Sequence, residues 1–536
     1  MRKPLAALLT AFLLAGAAST LPAQAFQRGG SLQVVSLDEP LLLNPLFEEG
    51  PAAQELYNLI YSGLIRFDSG LDMQPDLLQT VPTFQNGGVQ KLPNGEMVVT
   101  YRLRNGLKWH DGKPLTAEDI QFTWQAHMDP RVKYPPTPGY ETIRLVEVVN
   151  ETTAKAYYHR VYPDYFKLFR HVLPKHSFRS PYWKLDRNHP YNKHPIGSGP
   201  FALKSWKNGE AVFNANPTYH LAPPNLDQIR YVFKPGDFKS LPQVVDWAAN
   251  ADVMQRMSIG AYDYLKANPD LQLHVIATPQ IEHLSFNLQD PLSADLRIRR
   301  AIALTIDRQA ISDTLFGLAE PAYSDQHRGS WKYNAQVERF YRHDPVYAAK
   351  LLDEAGWKRE GEGPRRNGSG DPLVMTIAIS SGNLSHQLIS GYMKQALGAL
   401  GVEVKTFVLP ADRLLNTVLP GGDYQMALAS WDGSPFNIPF KRWHSTMVPP
   451  AGQNVTRFND YQADRLLNEL DRTVDLAKQQ RLYQQLAEVL AEQLPALPLY
   501  YAPMVEAYRK TVHNVSPNPY TGTTWNSFQW WMEQRG

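Results

Sequence analysis

The chain is predicted to be an α/β protein of several domains. A strand, an amphipathic helix and a second strand succeed one another at residues 373–380, 386–400 and 402–408, which is a β-α-β unit. Residues 284–311, LSFNLQDPLSADLRIRRAIALTIDRQAI, read as an alternating strand ending at Asn287, a polar turn around Asp290 and Pro291, and a helix. That helix sets Arg297, Arg299 and Arg300 on one side, read as a solvated face, with Ile298, Ala301, Ile302 and Leu304 on the other. A length of 536 residues exceeds one domain and suggests about three.

The remaining elements follow in order. SLQVVSL at 31–37 is a strand leading into a loop at 38–45, and a helix at 52–64 precedes a strand at 65–67. MVVTYRL at 97–103 alternates as a strand. Turns at Asn105-Gly106 and Asp111-Gly112 follow it, and Thr116, three residues before Asp119, starts a helix at 117–128. Trp109, His110 and Asp111 are read as a turn beside a hydrophobic anchor, not as a catalytic pair. IGSGP at 196–200 lacks the spacing of a phosphate loop and reads as a close backbone crossing before a strand at 201–206. Asp344-Pro345 opens a helix that Gly356 ends. Helices at 464–474 and 477–494 precede the strand-like LPLYYAP.

Residues 1–25 have the pattern of a secretory signal: Arg2 and Lys3, an apolar run too short to span a bilayer, and the small-x-small site Ala23-Gln24-Ala25. The mature chain is expected to start near Phe26. The sequence has no cysteine, which excludes disulfides, thiolate metal sites and a lipid-modified cysteine anchor. A periplasmic location without lipid anchoring is the expectation. The net charge is +2, close to zero without Arg2 and Lys3, and no basic run points to nucleic acid. Twelve Trp, 27 Tyr and 21 Phe supply rings for a core and for ligand walls. No paired-histidine pattern predicts a metal site, and no cofactor is expected.

Seven segments together resemble one family. They are YRLRNGLKWHDGKPLTAEDIQFTW at 101–124, IGSGPFALKSW at 196–206, HLSFN at 283–287, DLRIRRAIALTIDR at 295–308, DPVYAAKLLDEAGW at 344–357, DYQMALASW at 423–431 and PALPLYYAP at 495–503. In order and spacing they are similar to the family 5 extracellular solute-binding proteins, the peptide and nickel receptors of bacterial ABC importers. Ser198 stands where the family usually has threonine. The resemblance implies a periplasmic binding protein-like fold (type II, cluster C), with two lobes joined by a two-crossing hinge plus an extra domain. It implies domain I from 26–70, 195–280 and 511–536, domain II from 71–194 and domain III from 281–510. It also implies a non-enzymatic, monomeric receptor that delivers an oligopeptide or peptide-like solute to permease subunits in the inner membrane.

The same resemblance places the site in SWDGSPFNIPFKRW at 430–443. In peptide-binding relatives an aspartate shortly after the tryptophan pairs with the peptide ammonium. Trp431 matches that tryptophan, the aspartate position falls on Ser434, and Asp432 comes two residues early. Either Asp432 serves from a shifted loop, or the ligand is not an ordinary free peptide. Candidate ligand-binding residues are Trp431, Asp432, Ser434, Asn437, Arg442 and Trp443, with Asn44 from the first lobe. His283 and Asn287 lie at a crossing and are candidates for ligand contact or hinge. A same-fold receptor for a nickel chelate or an oligosaccharide stays open. A secreted hydrolase is disfavoured, because no G-x-S-x-G, H-E-x-x-H or S-x-x-K context is present.

Overall fold

The computed structural model describes residues 28–48, 50–70, 72–130, 132, 138–178, 187–234, 241–257, 259–433 and 439–533. The expected signal segment therefore lies outside the described residues. Ten strands form the path of one mixed sheet: β1 (Ser31–Ser36), β2 (Phe201–Lys207), β3 (Glu210–Ala215), β4 (Gln228–Phe233), β5 (Val253–Met257), β6 (Leu271–Phe286), β7 (Val374–Ser380), β8 (Glu403–Leu409), β9 (Met426–Asp432) and β10 (Ala496–Arg509). Their order is β8-β7-β9-β6-β10-β5-β1-β4-β3-β2, and the short strand Glu320–Pro321 pairs with β10 off this path. β7 and β8 run parallel through the crossover helix Leu384–Ala399, the β-α-β unit read from the sequence.

β6 and β10 organise the rest. They are 16 and 14 residues long, where an ordinary strand has about six. Antiparallel to each other, they pair from Leu271↔Arg509 to Ser285↔Ala496, with a register shift between Ala277 and Ile281. On one side of the shift β10 borders β5, and on the other β6 borders β9. The fold is thus two lobes joined by two strand crossings. The sequence reading found only the end of β6. Pro279 interrupts the alternation, and a residue without an N–H is tolerated there because the register already slips.

Each lobe has its own core. Leu284, Phe286, Ile302, Ile377, Met393 and Leu428 fill one, and Leu32, Val34, Leu56, Phe201, Tyr231 and Trp530 fill the other. A third core, around Met97, Trp109, Ile120 and Phe169, belongs to an extra unit built on the four-stranded antiparallel sheet Val89–Lys91, Met97–Arg102, Thr153–Tyr158 and Ile143–Asn150. The helix Ala117–Met128 covers it, and Asp119 accepts from Thr116 N at 2.9 Å, closing the capping interaction expected from sequence.

One expectation is corrected. In the signature helix Leu296–Thr305, Arg299 is not solvated but only 4% exposed. Its guanidinium donates to the carbonyls of Leu494, Ser293, Ala294 and Gln493 at 2.7–3.0 Å. The last residue of the helix Leu476–Gln493 and its cap Leu494 leave carbonyls without intrahelical partners, and a planar fork of donors satisfies them. The helix is thereby stapled to the chain entering β10. Arg297 does sit at the surface, against Asp295 at 2.6 Å.

The IGSGP turn is a close crossing. Gly199 N donates to Ile60 O at 2.8 Å, and a Cβ on Gly197 would stand 1.8 Å from that same oxygen. His110 joins the turn, accepting from Gly197 N on Nδ1 at 3.2 Å and facing Gly199 O through Nε2 at 3.0 Å. Burial lowers its pKa to about 4, so the ring is a neutral clamp. Gly197→Ala is expected to destabilise the protein by about 3 kcal/mol or more, because the clash is with main chain that cannot rotate away. Gly391→Ala, in an exposed helical position with open space around it, is expected to stabilise by about 0.5–1 kcal/mol. Thermal unfolding of both variants checks the contrast; equal melting temperatures would contradict it.

Candidate functional site

The site is built where β9 ends beside the register shift. Trp431 pairs with Ile281 and Asp432 with Gln280, so both lie at the crossing between lobes. The Trp431 indole is held on several sides: the His283 ring at 3.5 Å, the Arg442 guanidinium at 4.9 Å and the Trp443 ring edge-on at 5.4 Å. Its Nε1 is buried without a hydrogen-bond partner among the described residues, and it lines a narrow cleft with Tyr323, Asp325, Tyr341 and Trp443. Trp443 donates from Nε1 to Asp325 Oδ2 at 2.9 Å, which fixes the short helix Phe440–Trp443. That helix presents Arg442, whose Nη2 donates to Asp432 O at 3.2 Å. After Asp432, Gly433 fits because a Cβ there would be 2.3 Å from Ile281 Cδ1.

Charges from other parts of the chain converge on the same place. Asp432 acts electrostatically on Lys167 of the extra unit, on Arg442 and on Tyr520 of the C-terminal segment. Lys332 is 2% exposed, donates to Tyr483 Oη at 2.9 Å and lies 4.1 Å from that ring's centroid. Burial lowers its pKa to about 7, against the pull of Asp164 and Asp325. The extra unit reaches this region through Arg160, which pairs with Asp471 at 2.9 Å. Lys167, Asp325, Lys332 and Tyr520 were not singled out from sequence. The run Trp331-Lys332-Tyr333, a lysine between two rings, is the one local signal that pointed there.

Of the expected site residues, Trp431, Asp432, Arg442 and Trp443 come together. Ser434 and Asn437 lie outside the described residues. Asn44 is corrected: it is fully buried, donates to Asn192 Oδ1 at 2.8 Å and accepts from Leu46 N at 3.0 Å, so it shapes a turn in the lobe core. Asn287 is likewise internal, donating to the Gly422 and Tyr424 carbonyls and accepting from Gln289 N. His283 is buried against Trp431 and bonded to Ser285 Oγ at 2.9 Å; burial holds it neutral, as a support for the indole.

Residues 90–446 match the family described as bacterial extracellular solute-binding proteins, family 5 Middle. The chain belongs to this family. The oligopeptide-binding protein AppA of Bacillus subtilis is 26% identical to this family 5 protein over 526 residues, covering 94% of this chain and 92% of AppA. The AppA structure, solved with a nonapeptide, gives a TM-score of 0.69 at 25% identity over 95% of this chain and 100% of that one. The probable deoxycholate-binding periplasmic protein YgiS of Escherichia coli (strain K12) is 26% identical over 515 residues, 88% of each chain. NikZ from Campylobacter jejuni, solved with Ni(L-His), shares the fold at 23% identity and a TM-score of 0.70, over 93% of this chain and 99% of NikZ.

Below the crossing, the first lobe of this family 5 protein holds two buried carboxyls, Glu55 and Glu506. Glu55 accepts from Thr523 N at 2.9 Å, Thr524 N at 3.0 Å and Thr524 Oγ1 at 2.7 Å. Glu506, on β10, accepts from Thr523 Oγ1 at 2.6 Å and from the Tyr508 hydroxyl. The pair ties the C-terminal segment to a hinge strand. Burial, reinforced by the Glu55 charge, raises the Glu506 pKa above the usual glutamate range. A raised folded-state pKa means that the stability from this group is full below the ordinary value of 4.5 and is lost as pH rises through the raised one. Glu506→Gln is therefore expected to flatten the fall of melting temperature with rising pH and to exceed wild type at the alkaline end. Melting curves across that range check it, and an unchanged slope would refute it.

Proposed function

We propose that this family 5 protein is the periplasmic substrate-binding component of an ABC importer, and that it captures an oligopeptide or peptide-like solute by closure of its lobes. One observation carries the reading: Asp432 sits at the end of β9, at the lobe crossing, within the field of groups from three separate segments. A carboxylate so placed, beside the Trp431 and Trp443 rings, suits the ammonium end of a ligand. In this reading Asp432 takes over the clamp from the position two residues later. AppA, with its bound nonapeptide, supports the peptide assignment. The lobes correspond to residues 26–70, 195–280 and 511–536 on one side and 281–510 on the other, with 71–194 as the extra domain. A ligand touching both lobes favours the closed state by the difference of its affinities for the two states. The closed form is delivered to the inner-membrane permease, and no bond in the cargo is broken. The protein works as a monomer, exported by residues 1–25 and not lipid-anchored.

The reading is tested by titrating a pool of free-amine peptides and the same pool N-acetylated into wild type and Asp432→Ala. Wild type is expected to melt higher with the free-amine pool, with the peptides recovered intact. Asp432→Ala is expected to lose at least about 30-fold in affinity for that pool and to treat both pools alike. Shifts only with sugars or metal chelates would sink the peptide assignment, and unchanged affinity in the variant would move the ammonium contact elsewhere.

A further inference from the structure

At the end of the first lobe away from the crossing, an open hollow of about 480 Å³ is lined by Asn225, Asn514, Val515, Ser516, Asn526 and Gln529. The sheet sets its place. The Asn225 carbonyl accepts from Gly29 N at 2.7 Å, two residues before β1. β1 and β5 run parallel, and β5 advances towards the crossing from Val253↔Tyr508 to Met257↔Val505. The start of β1 therefore lies at the opposite end of the lobe, roughly 16 Å from Ser36 along the strand. The volume falls within the range of about 300–1,000 Å³ usual for small-molecule sites. The lobe crossing and its charges make no use of it.

Four of the six lining side chains are carboxamides, and none of the six is ionisable. Asn225 Nδ2 and Asn514 Nδ2 donate to one and the same carbonyl, Gln529 O, at 3.0 and 3.2 Å. That shared anchor fixes both amide planes and turns each Oδ1 away from it. Asn225 Oδ1, Asn514 Oδ1, Gln529 Nε2 and Ser516 Oγ make no hydrogen bond among the described residues. Asn526 is the saturated member: it is buried, donates to Asn514 O at 2.8 Å and accepts from Trp530 Nε1 at 2.9 Å. Asn514 follows the strand pair Val512–His513 with Trp531–Met532 and holds φ at 64°, a left-handed conformation that asparagine tolerates better than most residues. The nearby His513 and Glu533 answer each other at 2.9 Å. The hollow thus offers acceptors held in place, an amide donor and a hydroxyl, all without charge. Hydroxyl groups, each donating once and accepting twice, are the complement of such a set. A phosphate or a peptide terminus would meet no opposite charge on these walls, and half-buried Val515 gives an apolar patch for the C–H face of a pyranose ring.

We propose that this hollow is a second binding site, for a neutral oligosaccharide, independent of the cleft at the crossing. Its walls pack on the core of one lobe, so its ligand has the same affinity for the open and closed states and leaves the lobe equilibrium unmoved. The assignment does not rest on the peptide reading. The test titrates maltotriose and tri-N-acetylchitotriose calorimetrically into wild type, Asn514→Gly, Gln529→Ala and Asp432→Ala. Wild type is expected to bind at least one of the two sugars, with the same affinity in Asp432→Ala and in the presence of free-amine peptides. Asn514→Gly and Gln529→Ala are each expected to lose about 5- to 10-fold. Both are expected to melt near wild type: Asn225 still donates to the Gln529 carbonyl in the first, and the second keeps that carbonyl. Should one unfold, the other decides. Binding of neither sugar overturns the proposal. Affinity kept in both hollow variants, or lost in Asp432→Ala, places the sugar elsewhere and overturns it too. The hollow would be a peptide site instead if N-acetylated, amidated peptides bound wild type and lost affinity in the same two variants.

Discussion

Two strands belong to both lobes at once, and the rest of the molecule is arranged around that constraint. β6 and β10 are hydrogen-bonded to each other on both sides of their register shift, so each lobe's sheet is seeded by the same pair. A backbone ladder of this kind is stiff where it is regular and compliant where it slips. The slip falls at Ala277–Ile281, where Pro279 removes a donor and Gly433 N bonds to the Pro279 carbonyl at 2.7 Å. The irregular part of the ladder shared by the two lobes is therefore confined to a few residues. The end of β9 is positioned by those same residues, so the candidate ligand contacts sit at the register shift itself.

The buried charges serve this layout in two ways. Arg299 and Arg308 spend their donors on carbonyls, and so convert irregular chain around the signature helix into fixed scaffold. Glu55 and Glu506 do the same for the C-terminal segment, at the cost of placing two carboxyls out of water. Near the crossing the pattern changes. Lys167, Lys332, Arg442, Asp325 and Asp432 interact through their fields across segment boundaries. Groups that hold a scaffold are saturated within one lobe, whereas groups at the crossing are shared between parts of the chain that can separate.

What was legible in the sequence was local. The Thr116–Asp119 cap, the proline and glycine that bound the helix Pro345–Glu354, and the β-α-β unit depend on residues a few positions apart, and each formed where the spacing put it. The resemblance pointed to the Trp431 region, where Trp431, Arg442 and Trp443 lie against one another. What failed depended on distant partners. Arg299 looked solvated because Leu494, 195 residues on, is invisible to periodicity. Asn44 looked like a wall residue because its partner Asn192 lies 148 residues away. β6 was read at a quarter of its length because the bulge that admits Pro279 exists only against β10.

The same distinction separates recognition of the family from recognition of the cargo. The segments that resemble family 5 are mostly scaffold: the glycine crossing clamped by His110, the helix stapled by Arg299, the strand that becomes β10. Their spacing is dictated by packing, which any cargo tolerates. AppA, solved with a nonapeptide, and NikZ, solved with Ni(L-His), keep that frame while their bound ligands differ. Cargo is decided by side chains whose hydrogen bonds the frame does not consume. In this chain the Trp431 Nε1 at the crossing is such a group, buried without a hydrogen-bond partner among the described residues. Specificity then rests on the differential contact of two walls, and a ligand that meets only one of them cannot shift the lobes, however tightly it binds.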